Sequence, residues 1–351
     1  MKKKDLIAEV KKIYPYYTNL TLFNKSSLNY ILNRKCGNNI FLKNNQNSCY
    51  IDSLLISLFH DNIDFIKKIF LESPLNDTKS ELIKLAEEIR AELISVYNLI
   101  QDINNTAKIN YCKNLRKMLN NYYKIKYPKR KINWTVEQLE PFDVITLLND
   151  IFNIDLKNKI NIKTYGSNDI KKKIILKKLK LVNDKTIIDN NYTPIIPVEK
   201  LLSGKDLLIK TIYPKSTEDT NFDIYNLWKP ESEEFSRKIE KITYLYSSFL
   251  FIHINRNLIQ PNNNIIKIRT KVIPSLKIKT KENKLNLYLR SMIIHHGEYG
   301  QGHYTTVYVC KGKWYEYDDL KSNIKLIGKF EDVCKYDNSY YLRNCTNLIY
   351  Y

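Results

Sequence analysis

The sequence predicts an α+β protein whose first half is helical and whose last third is rich in strands. Residues 81–103 combine an apolar stripe at helical spacing with strong helix formers. Residues 286–296 and 303–310 are instead alternating or continuous apolar runs bounded by turn residues, which is typical of β-strands. No internal repeat is evident. A chain of 351 residues can bury one large core, so we expect one domain built of lobes.

The first chemically informative stretch reads FLKNNQNSCYIDSLLISLFH and occupies residues 41–60. It begins as a polar, Asn-rich loop and then has apolar residues at the spacing of a helix face, at Ile51, Leu54, Leu55 and Leu58. Cys49 therefore lies where a loop enters a helix. Unpaired N–H groups at a helix N-terminus favour a thiolate, which suits a nucleophile. A cysteine ahead of a helix is also often a buried packing residue, and this stretch alone leaves both interpretations open.

Three further segments separate this stretch from the strands near the C-terminus. Residues 120–134 are basic and aromatic, and we interpret them as a solvated loop, with a nucleic-acid surface as the alternative. Residues 138–154 indicate a second helix, opened by acids and Pro141, which a first turn tolerates. Residues 155–235 alternate short β-branched runs with Asn, Asp, Pro and Gly breaks, which indicates strands and long loops.

A second informative stretch lies near the C-terminus. His303 stands in a glycine-rich turn, immediately before a strand that ends at Cys310. A turn through Lys311 and Gly312 then returns the chain along another strand to Asp318. Such a hairpin can bring the acid beside the histidine, as the orientation of an imidazole requires. Acyl transfer by a thiol needs a nucleophile, a base and a group that orients the base, and these residue types are all present.

Composition excludes several classes of protein. Apolar residues make up 43% of the chain and charged residues 27%, close to the globular norm, so neither disorder nor a membrane protein is indicated. No apolar run approaches the roughly 20 residues of a membrane-spanning helix. The N-terminal MKKKDLIAEVKKIY lacks the apolar core of a secretory signal. We therefore expect no membrane partner and a location in the cytoplasm or nucleus, including that of a host cell.

The net charge of +20 suggests a polyanion partner. Abundant Lys, Asn, Ile and Tyr with scarce Gly indicate instead the codon bias of an AT-rich genome, and no RNA- or DNA-binding motif accompanies the charge. Nucleic-acid binding is therefore kept only as a secondary property.

The six cysteines are scattered along the chain without any CxxC pair. We therefore expect neither a disulfide framework nor a zinc site. A reducing compartment would also protect a catalytic thiolate from oxidation.

The stretch around Cys49 resembles the cysteine box of the ubiquitin-specific proteases. That box reads, in outline, G-L-x-N-x-G-N-T-C-Y-x-N-S, and this chain has FLKNNQNSCYIDS. The matching residues are Leu42, Asn44, Asn47, Cys49, Tyr50 and Ser53. Ser48 replaces threonine, Asp52 replaces asparagine, and Gln46 stands where the family usually has glycine.

The C-terminal stretch resembles the histidine box of the same family, which ends in G-H-Y, a strand and then W-Y-x-F-D-D. The matching residues are Gly302, His303, Tyr304, Trp314, Tyr315, Asp318 and Asp319, and Tyr317 replaces phenylalanine. His295 and Gly297 match the upstream H-x-G of the family. Residues 138–145 are similar to its helix Q-Q-D-A-x-E-F-L, and residues 249–256 to its segment L-x-I-H-L-K-R.

The resemblance implies a papain-like cysteine protease with a helical thumb lobe and a β-rich palm lobe. Without CxxC knuckles, the fingers region is expected to be reduced or altered and free of metal. We expect an N-terminal extension over residues 1–40 and a catalytic domain over residues 41–351. Within that domain, residues 41–154 would be the helical lobe, 155–235 a fingers-like or variable insertion, and 236–351 the palm.

The resemblance also implies catalytic roles. Cys49 would be the nucleophile, His303 the general base and Asp318 the residue that orients the histidine. Asn44 would donate a hydrogen bond to the oxyanion, unless it is an ordinary loop asparagine. Asp319 would assist the oxyanion or the histidine, unless it is simply a turn residue.

Substrate-binding roles follow in the same way. Glu140 and Asp143 resemble the acids that bind the arginines in the C-terminal tail of ubiquitin. The alternative is a pair of acids favoured by the dipole of a helix N-terminus. His295 and Tyr304, with the glycines around them, would line a narrow channel for the Gly-Gly end of ubiquitin.

The implied function is hydrolysis of the isopeptide or peptide bond after the C-terminal glycine of ubiquitin, by a thiol and without a cofactor or metal. Ubiquitin or ubiquitin-conjugated proteins would be the partners, and we expect a monomer. Two alternatives stay open. One is a protease for another ubiquitin-like modifier or a polyprotein, and the other is a non-catalytic basic binding protein on the same fold.

Overall fold

The computed structural model describes residues 1–13, 20–22, 24–33, 36, 42–61, 71–101, 112–152, 158–165, 183–189, 195–196, 201–202, 207–209, 236–244, 249–279 and 286–351. Its helices are α1 (Lys3–Ile13), α2 (Lys25–Asn33), α3 (Cys49–Phe59), α4 (Ser80–Gln101), α5 (Lys113–Lys126), α6 (Pro141–Ile151) and α7 (Phe330–Asn344), with a 3-10 turn at Leu20–Leu22. Each helix in this part of the chain is too short or too polar to cross a lipid bilayer.

The strands begin in the middle of the chain. They are β1 (Asn158–Tyr165), β2 (Asn183–Asp189), β3 (Ile195–Ile196), β4 (Leu207–Ile209), β5 (Ser236–Tyr244), β6 (Leu250–Ile254), β7 (Asn257–Ile259), β8 (Ile265–Lys267), β9 (Val272–Pro274), β10 (Lys277–Lys279), β11 (Asn286–His296), β12 (His303–Cys310), β13 (Lys313–Tyr317), β14 (Lys325–Gly328) and β15 (Cys345–Tyr350). The expected α+β division is therefore present.

The two helices predicted from periodicity are both found. Helix α4 nearly coincides with the predicted residues 81–103. Helix α6 begins three residues later than the start of the predicted 138–154 helix, because Glu140 is extended and caps it. The carboxylate of Asp143 accepts the backbone N–H of Glu140 at 3.0 Å. Pro141 is tolerated at the first helical position because no N–H partner is required there.

Helix α5 corrects the interpretation of residues 120–134 as a solvated loop. Residues up to Lys126 are helical, and the rings of Tyr122 and Tyr123 are buried. Trp134, beyond the helix, is also buried. The aromatic residues therefore belong to the core. The apolar stripe of α5 runs through Leu115, Leu119, Tyr122 and Tyr123, and the segment that begins at residue 120 contains only its second half.

The second half of the chain builds an eight-stranded sheet in the described residues, with the order β14-β13-β12-β11-β15-β6-β3 and β10 added beside β11. Neighbouring strands are antiparallel except β3 and β6. The predicted hairpin is present: β12 pairs with β13, and Cys310 lies opposite Lys313. Lys311 and Gly312 have φ values of 49° and 73°, as a two-residue turn that matches strand twist requires.

A helix packs on each face of this sheet. All residues of α3 are buried, and its Ser57 hydroxyl lies 3.2 Å from the hydroxyl of Thr306 on β12. The Thr306 hydroxyl also donates to the carbonyl oxygen of Ser53 at 2.6 Å. Helix α7, which the sequence analysis did not predict, packs on the opposite face through Val333, Tyr341 and Leu342; it is broken by a turn at residues 336–339. Short polar side chains thus hold α3 close against β12.

The predicted fingers-like insertion is described only in part. Strands β1, β2 and β5 form a separate three-stranded sheet in the order β2-β1-β5. The remainder of residues 155–235, apart from short pieces, lies outside the described residues. The insertion and the other domain boundaries therefore stay predictions.

One disulfide is present, although the spacing of the cysteines gave no reason to expect a disulfide framework. Cys36 and Cys310 are bonded across 274 residues of sequence, with their Cα atoms 5.9 Å apart. Sequence spacing cannot reveal such a pair, because a disulfide depends on two Cβ atoms meeting in space. Cys49, Cys112, Cys334 and Cys345 are not disulfide-bonded.

Candidate active site

Cys49 and His303 meet because α3 lies against β12. Cys49 is the first residue of α3, and His303 is the first residue of β12. The contacts of Thr306 with α3 align the two elements, so their N-terminal ends lie together. The thiol and the imidazole lie close enough to interact. The Cys49 side chain is only 2% exposed, so the thiol is shielded from bulk water.

The imidazole of His303 is held from its other side by Asp318. Nε2 of His303 donates to Oδ1 of Asp318 at 2.7 Å, which leaves Nδ1 for the thiol. Asp318 also accepts the backbone N–H of Leu320 at 3.1 Å and the ammonium group of Lys321 at 3.0 Å. Oδ1 of Asp319 lies 3.4 Å from Nε2 of His303. The atoms of His303, Asp318 and Asp319 that could coordinate a metal ion lie within 4.8 Å of one another. A metal ion there would have to displace the hydrogen bond between His303 and Asp318.

The electrostatics of this pair favour a protonated imidazole. Burial lowers the pKa of His303, but its hydrogen bonds with Asp318 and Cys49 and the charge of Asp319 outweigh burial and raise the pKa to about 10. Burial raises the pKa of Asp318, but hydrogen bonds from His303, Lys321 and the Leu320 N–H hold it well below its usual value. A cationic imidazole beside a thiol favours the thiolate.

The loop before Cys49 is tied to the chain that follows β13. Nδ2 of Asn44 donates to Oδ2 of Asp319 at 3.0 Å, and the Asn44 backbone N–H donates to the Asp319 carbonyl oxygen at 3.3 Å. On the far side, Arg116 of α5 donates to the carbonyl oxygen of Asn45 at 2.7 Å. Because an amide nitrogen carries two hydrogens, Asn44 keeps a second N–H for another acceptor.

Two residues of this loop have left-handed backbone conformations. Gln46 has φ of 48° and Asn47 has φ of 66°. This conformation costs an L-residue roughly 1–2 kcal/mol, and glycine avoids that cost. Gln46 occupies the position at which ubiquitin-specific proteases usually have glycine, so the backbone supplies a physical reason for that glycine.

A cleft of about 310 Å³ lies at the start of α6. Its lining includes all four predicted substrate-binding residues: Glu140, Asp143, His295 and Tyr304. Tyr304 directly follows His303, and burial, followed by the charges of Glu140 and Cys49, raises its pKa. Tyr304 therefore lines the cleft and interacts electrostatically with both Glu140 and Cys49.

A family model described as ubiquitin carboxyl-terminal hydrolase matches residues 41–342. The chain belongs to this family. The match confirms the resemblance to the ubiquitin-specific proteases and the papain-like α+β fold. A search among curated proteins found no significant match.

The acids of the hydrolase cleft have few partners of opposite charge. Burial, and then the charge of Asp143, raises the pKa of Glu140 to about 7, and burial raises the pKa of Asp143. Oε2 of Glu140 lies 3.8 Å from Nε2 of His253, but burial lowers the pKa of that histidine to about 4, so it is neutral near pH 7. Among the described residues, no lysine or arginine is ion-paired with either acid. The acids are therefore available to a cation, although the lining of the cleft also includes Arg256 and Lys267.

One buried lysine of the hydrolase escaped the sequence analysis. Nζ of Lys267 donates to the carbonyl oxygens of His295 and, at 3.0 Å, Gly297. Burial first, and then two nearby arginines, lower its pKa to about 7. Opposite, Nε2 of Gln138 donates to the carbonyl oxygen of Gly302 at 2.8 Å. Both ends of the glycine-rich turn are thus anchored by side chains, of which Gln138 belongs to a segment that the sequence marked and Lys267 does not.

His295 and Gly302 are packed together at this turn. The His295 ring stacks on Tyr304 with ring centroids 4.5 Å apart. A Cβ atom on Gly302 would overlap the carbonyl oxygen of His296 and the ring of His295, and its φ of +157° also disfavours a side chain. The glycine therefore permits the close approach that forms the wall of the cleft.

Proposed function

We propose that this chain is a thiol-dependent deubiquitinase that hydrolyses the isopeptide or peptide bond after the C-terminal glycine of ubiquitin. Membership of the ubiquitin carboxyl-terminal hydrolase family supports the reaction class. The observation that carries the proposal is the convergence of three side chains: the His303 imidazole is bonded to the Asp318 carboxylate at 2.7 Å, and the Cys49 thiol lies close enough to interact with the same imidazole. This is the geometry that thiol-dependent acyl transfer requires.

In the proposed mechanism, His303 holds the proton of the Cys49 thiol. The thiolate attacks the carbonyl carbon of the terminal glycine, and His303 gives the proton to the leaving amine, so that a thioester remains. A water molecule, deprotonated by His303, then attacks the thioester and releases the free carboxylate. Asp318 keeps the imidazole in the orientation that presents Nδ1 to sulfur.

Charge that develops on the substrate oxygen needs hydrogen-bond donors. The second N–H of Asn44 and the unpaired N–H groups at the start of α3 are proposed for this task. Asp319 would hold the Asn44 side chain through the 3.0 Å bond between Nδ2 and Oδ2. Loss of one such donor typically lowers kcat by about 100- to 1000-fold.

The cleft suits a cationic, extended peptide tail. Glu140 and Asp143 would pair with arginines of that tail, and Tyr304 and His295 would confine the Gly-Gly end that leads to the thiol. Acids at a helix N-terminus are also favoured by the dipole, and the two roles are compatible.

A ubiquitin derivative with a C-terminal electrophile tests the proposal. We expect one covalent adduct per protein molecule, detected by mass spectrometry, and loss of that adduct in Cys49→Ala. Cys334→Ala is the matched control, because Cys334 is a partly exposed free thiol outside the site. A wild-type protein that is folded and never labels would refute the proposal.

The same assay separates the alternatives left open by the sequence. Probes built on other ubiquitin-like modifiers would label the protein in preference to the ubiquitin probe if the substrate is another modifier. A non-catalytic basic binding protein would not label and would bind nucleic acid with a strong dependence on salt.

A further inference from the structure

Two carboxyl groups face each other beneath the candidate oxyanion site. Asp52 of α3 is fully buried, and Asp319 is 2% exposed. Oδ2 of Asp52 accepts the Ser48 hydroxyl at 2.6 Å, and Oδ2 of Asp319 accepts the Asn44 amide at 3.0 Å. The Oδ1 atoms of both aspartates are buried without a well-formed hydrogen bond in the described part of the chain, although Oδ1 of Asp319 lies 3.4 Å from Nε2 of His303 and the Cys112 thiol lies at hydrogen-bonding range of Asp52. The two side chains nevertheless lie at hydrogen-bonding range of each other.

A single proton shared by the two carboxyl groups would remove the repulsion between them. Two carboxylates in contact cannot both ionise in a buried site, so one of them retains its proton. That proton would satisfy both acceptors, because the protonated oxygen donates to the ionised one. Burial, and then the charge of Asp319, raises the pKa of Asp52 well above its usual value. Burial also raises the pKa of Asp319, although the hydrogen bond with Asp52 and the charge of His303 act to lower it. Asp319 accepts the Asn44 amide at 3.0 Å and lies 3.4 Å from His303, and both contacts favour its ionised form, so we assign the proton to Asp52.

We propose that Asp52 is a positioning residue that remains protonated at neutral pH and donates a hydrogen bond to Asp319, thereby holding Asn44 in place. Ubiquitin-specific proteases usually have asparagine at this position, and an asparagine amide can donate the same bond without titrating. The role of Asn44 as a donor to the oxyanion rests on the proposed function, whereas the proton shared by Asp52 and Asp319 is independent of that function.

Other titratable groups surround Asp52 on every element that packs against it. They are Asp319, Asp318 and His303 near the hairpin, Tyr317 of β13, Cys49 and Tyr50 of α3, Cys112 and Arg116 at α5, and Glu92 of α4. Arg116 is directed at the carbonyl oxygens of Trp134 and Asn45, and His303 donates to Asp318. Of the cations near the pair, His303 is thus bonded to another carboxylate, whereas Arg116 retains a buried Nη2 that has no hydrogen-bond partner among the described residues.

The pH dependence of stability gives a test that needs no ubiquitin. A buried acid with a raised pKa stabilises the fold fully at low pH, and that contribution is lost as pH rises from about 4, where the unfolded side chain titrates, through the folded pKa. In Asp52→Asn this loss is removed. We expect the melting temperature of Asp52→Asn, relative to wild type, to increase steadily from about pH 5 to about pH 9. Asp337→Asn, a change at an exposed carboxyl group, is the matched control and should show a constant difference.

Labelling by the ubiquitin probe tests the positioning role. Asp52→Asn should label at the wild-type rate near neutral pH and faster than wild type at alkaline pH, where wild type acquires a second buried charge. Asp52→Ala should label roughly tenfold or more slowly at every pH, because it leaves Asp319 without its donor. Rescue by asparagine and not by alanine distinguishes a hydrogen-bond donor from a space-filling side chain.

The outcomes are separable. Melting curves of wild type and Asp52→Asn that shift in parallel with pH would overturn the shared proton. Equal loss of labelling in Asp52→Asn and Asp52→Ala would overturn the positioning role. If wild type never labels but the melting temperatures diverge with pH as expected, the result supports the shared proton and refutes the proposed function. Should Asp52→Ala not fold, Asp52→Asn still decides both points.

Discussion

The phenol of Tyr317 bonds both backbone polar groups of Leu42, a residue 275 positions earlier. The Leu42 N–H donates to the Tyr317 oxygen at 3.0 Å, and the Tyr317 hydroxyl donates to the Leu42 carbonyl oxygen. The loop that carries Asn44 therefore starts from a point fixed on β13. The hydrogen bonds between Tyr317 and Leu42 therefore connect the strand that precedes Asp318 with the loop that precedes Cys49.

Removing this phenol should loosen the loop. In Tyr317→Phe the Leu42 N–H and carbonyl group lose their partners in a buried place, which should cost about 1–3 kcal/mol in the free energy of unfolding. Urea denaturation measures this loss, and probe labelling should slow in parallel. Tyr299→Phe, at an exposed tyrosine, should leave the free energy of unfolding unchanged. Equal stability of the two variants would contradict the role of the Tyr317 hydroxyl.

The proton affinity of His303 should depend on Asp318. Because the hydrogen bond with Asp318 is the largest influence that raises the pKa of His303 to about 10, Asp318→Asn should lower that pKa substantially. NMR titration of the imidazole C–H signals measures it, and the five histidines make assignment by His303→Gln practical. An unchanged His303 pKa in Asp318→Asn would refute the pairing.

The same pair has a defined window of pH stabilisation. His303, with a raised pKa, stabilises the fold fully below its unfolded pKa of about 6.5, and this contribution is lost as pH rises through about 10. Asp318, with a depressed pKa, contributes above its unfolded pKa of about 3.9 and loses that contribution as pH falls further. The destabilisation of His303→Gln relative to wild type should therefore be greatest between these two values and shrink toward pH 10.

Affinity for a cationic tail should rise with pH. Since the pKa of Glu140 is raised to about 7, its carboxylate forms as pH increases from 6 to 8. Ion pairing with an arginine should then lower KM for a ubiquitin substrate by up to about fivefold. Glu140→Gln should abolish this trend, whereas Glu137→Gln, an exposed acid outside the cleft, should retain it. A KM that depends on pH equally in all three proteins would exclude this role.

Glycine at position 46 should stabilise the protein. Gln46 has a left-handed backbone with φ of 48°, so Gln46→Gly removes strain. The greater freedom of glycine in the unfolded chain offsets part of the gain, which leaves an increase of about 0.5–1 kcal/mol in the free energy of unfolding. Gln46→Ala keeps the strain and should show no increase. A destabilised Gln46→Gly would mean that the left-handed conformation is not strained here.

The disulfide should contribute to stability wherever it is allowed to form. Cys36→Ser opens the Cys36–Cys310 crosslink and should lower the free energy of unfolding by about 2–5 kcal/mol. Reductant should cause the same loss in wild type and no further loss in Cys36→Ser, and Cys334→Ser is the control. Alkylation of all six thiols in unreduced, denatured wild type would show that the bond is absent.

Local patterns accounted for much of the fold. Apolar periodicity was enough to locate α4, and strand-like runs located β11, β12 and β13, because these elements follow from which face of each segment is buried. Helices α1, α2, α5 and α7 were not predicted. The predicted segment 120–134 began inside α5 and so divided its apolar stripe, which starts at Leu115. A turn at residues 336–339 interrupts α7, so that helix has no continuous helical period.

What the sequence alone determined is the set of chemically competent residues and the two short segments that present them: a thiol at a helix start, and a histidine and an acid on one tight hairpin. Only the tertiary structure decided which distant groups share a partner. The Asp52–Asp319 contact, the Lys267 anchor and the Cys36–Cys310 bond join segments that are far apart in the chain. The physical reason is that desolvation, hydrogen bonding and covalent crosslinking depend on distance and burial in the folded chain. Neither the distance between two residues nor their burial can be read from their spacing in the sequence.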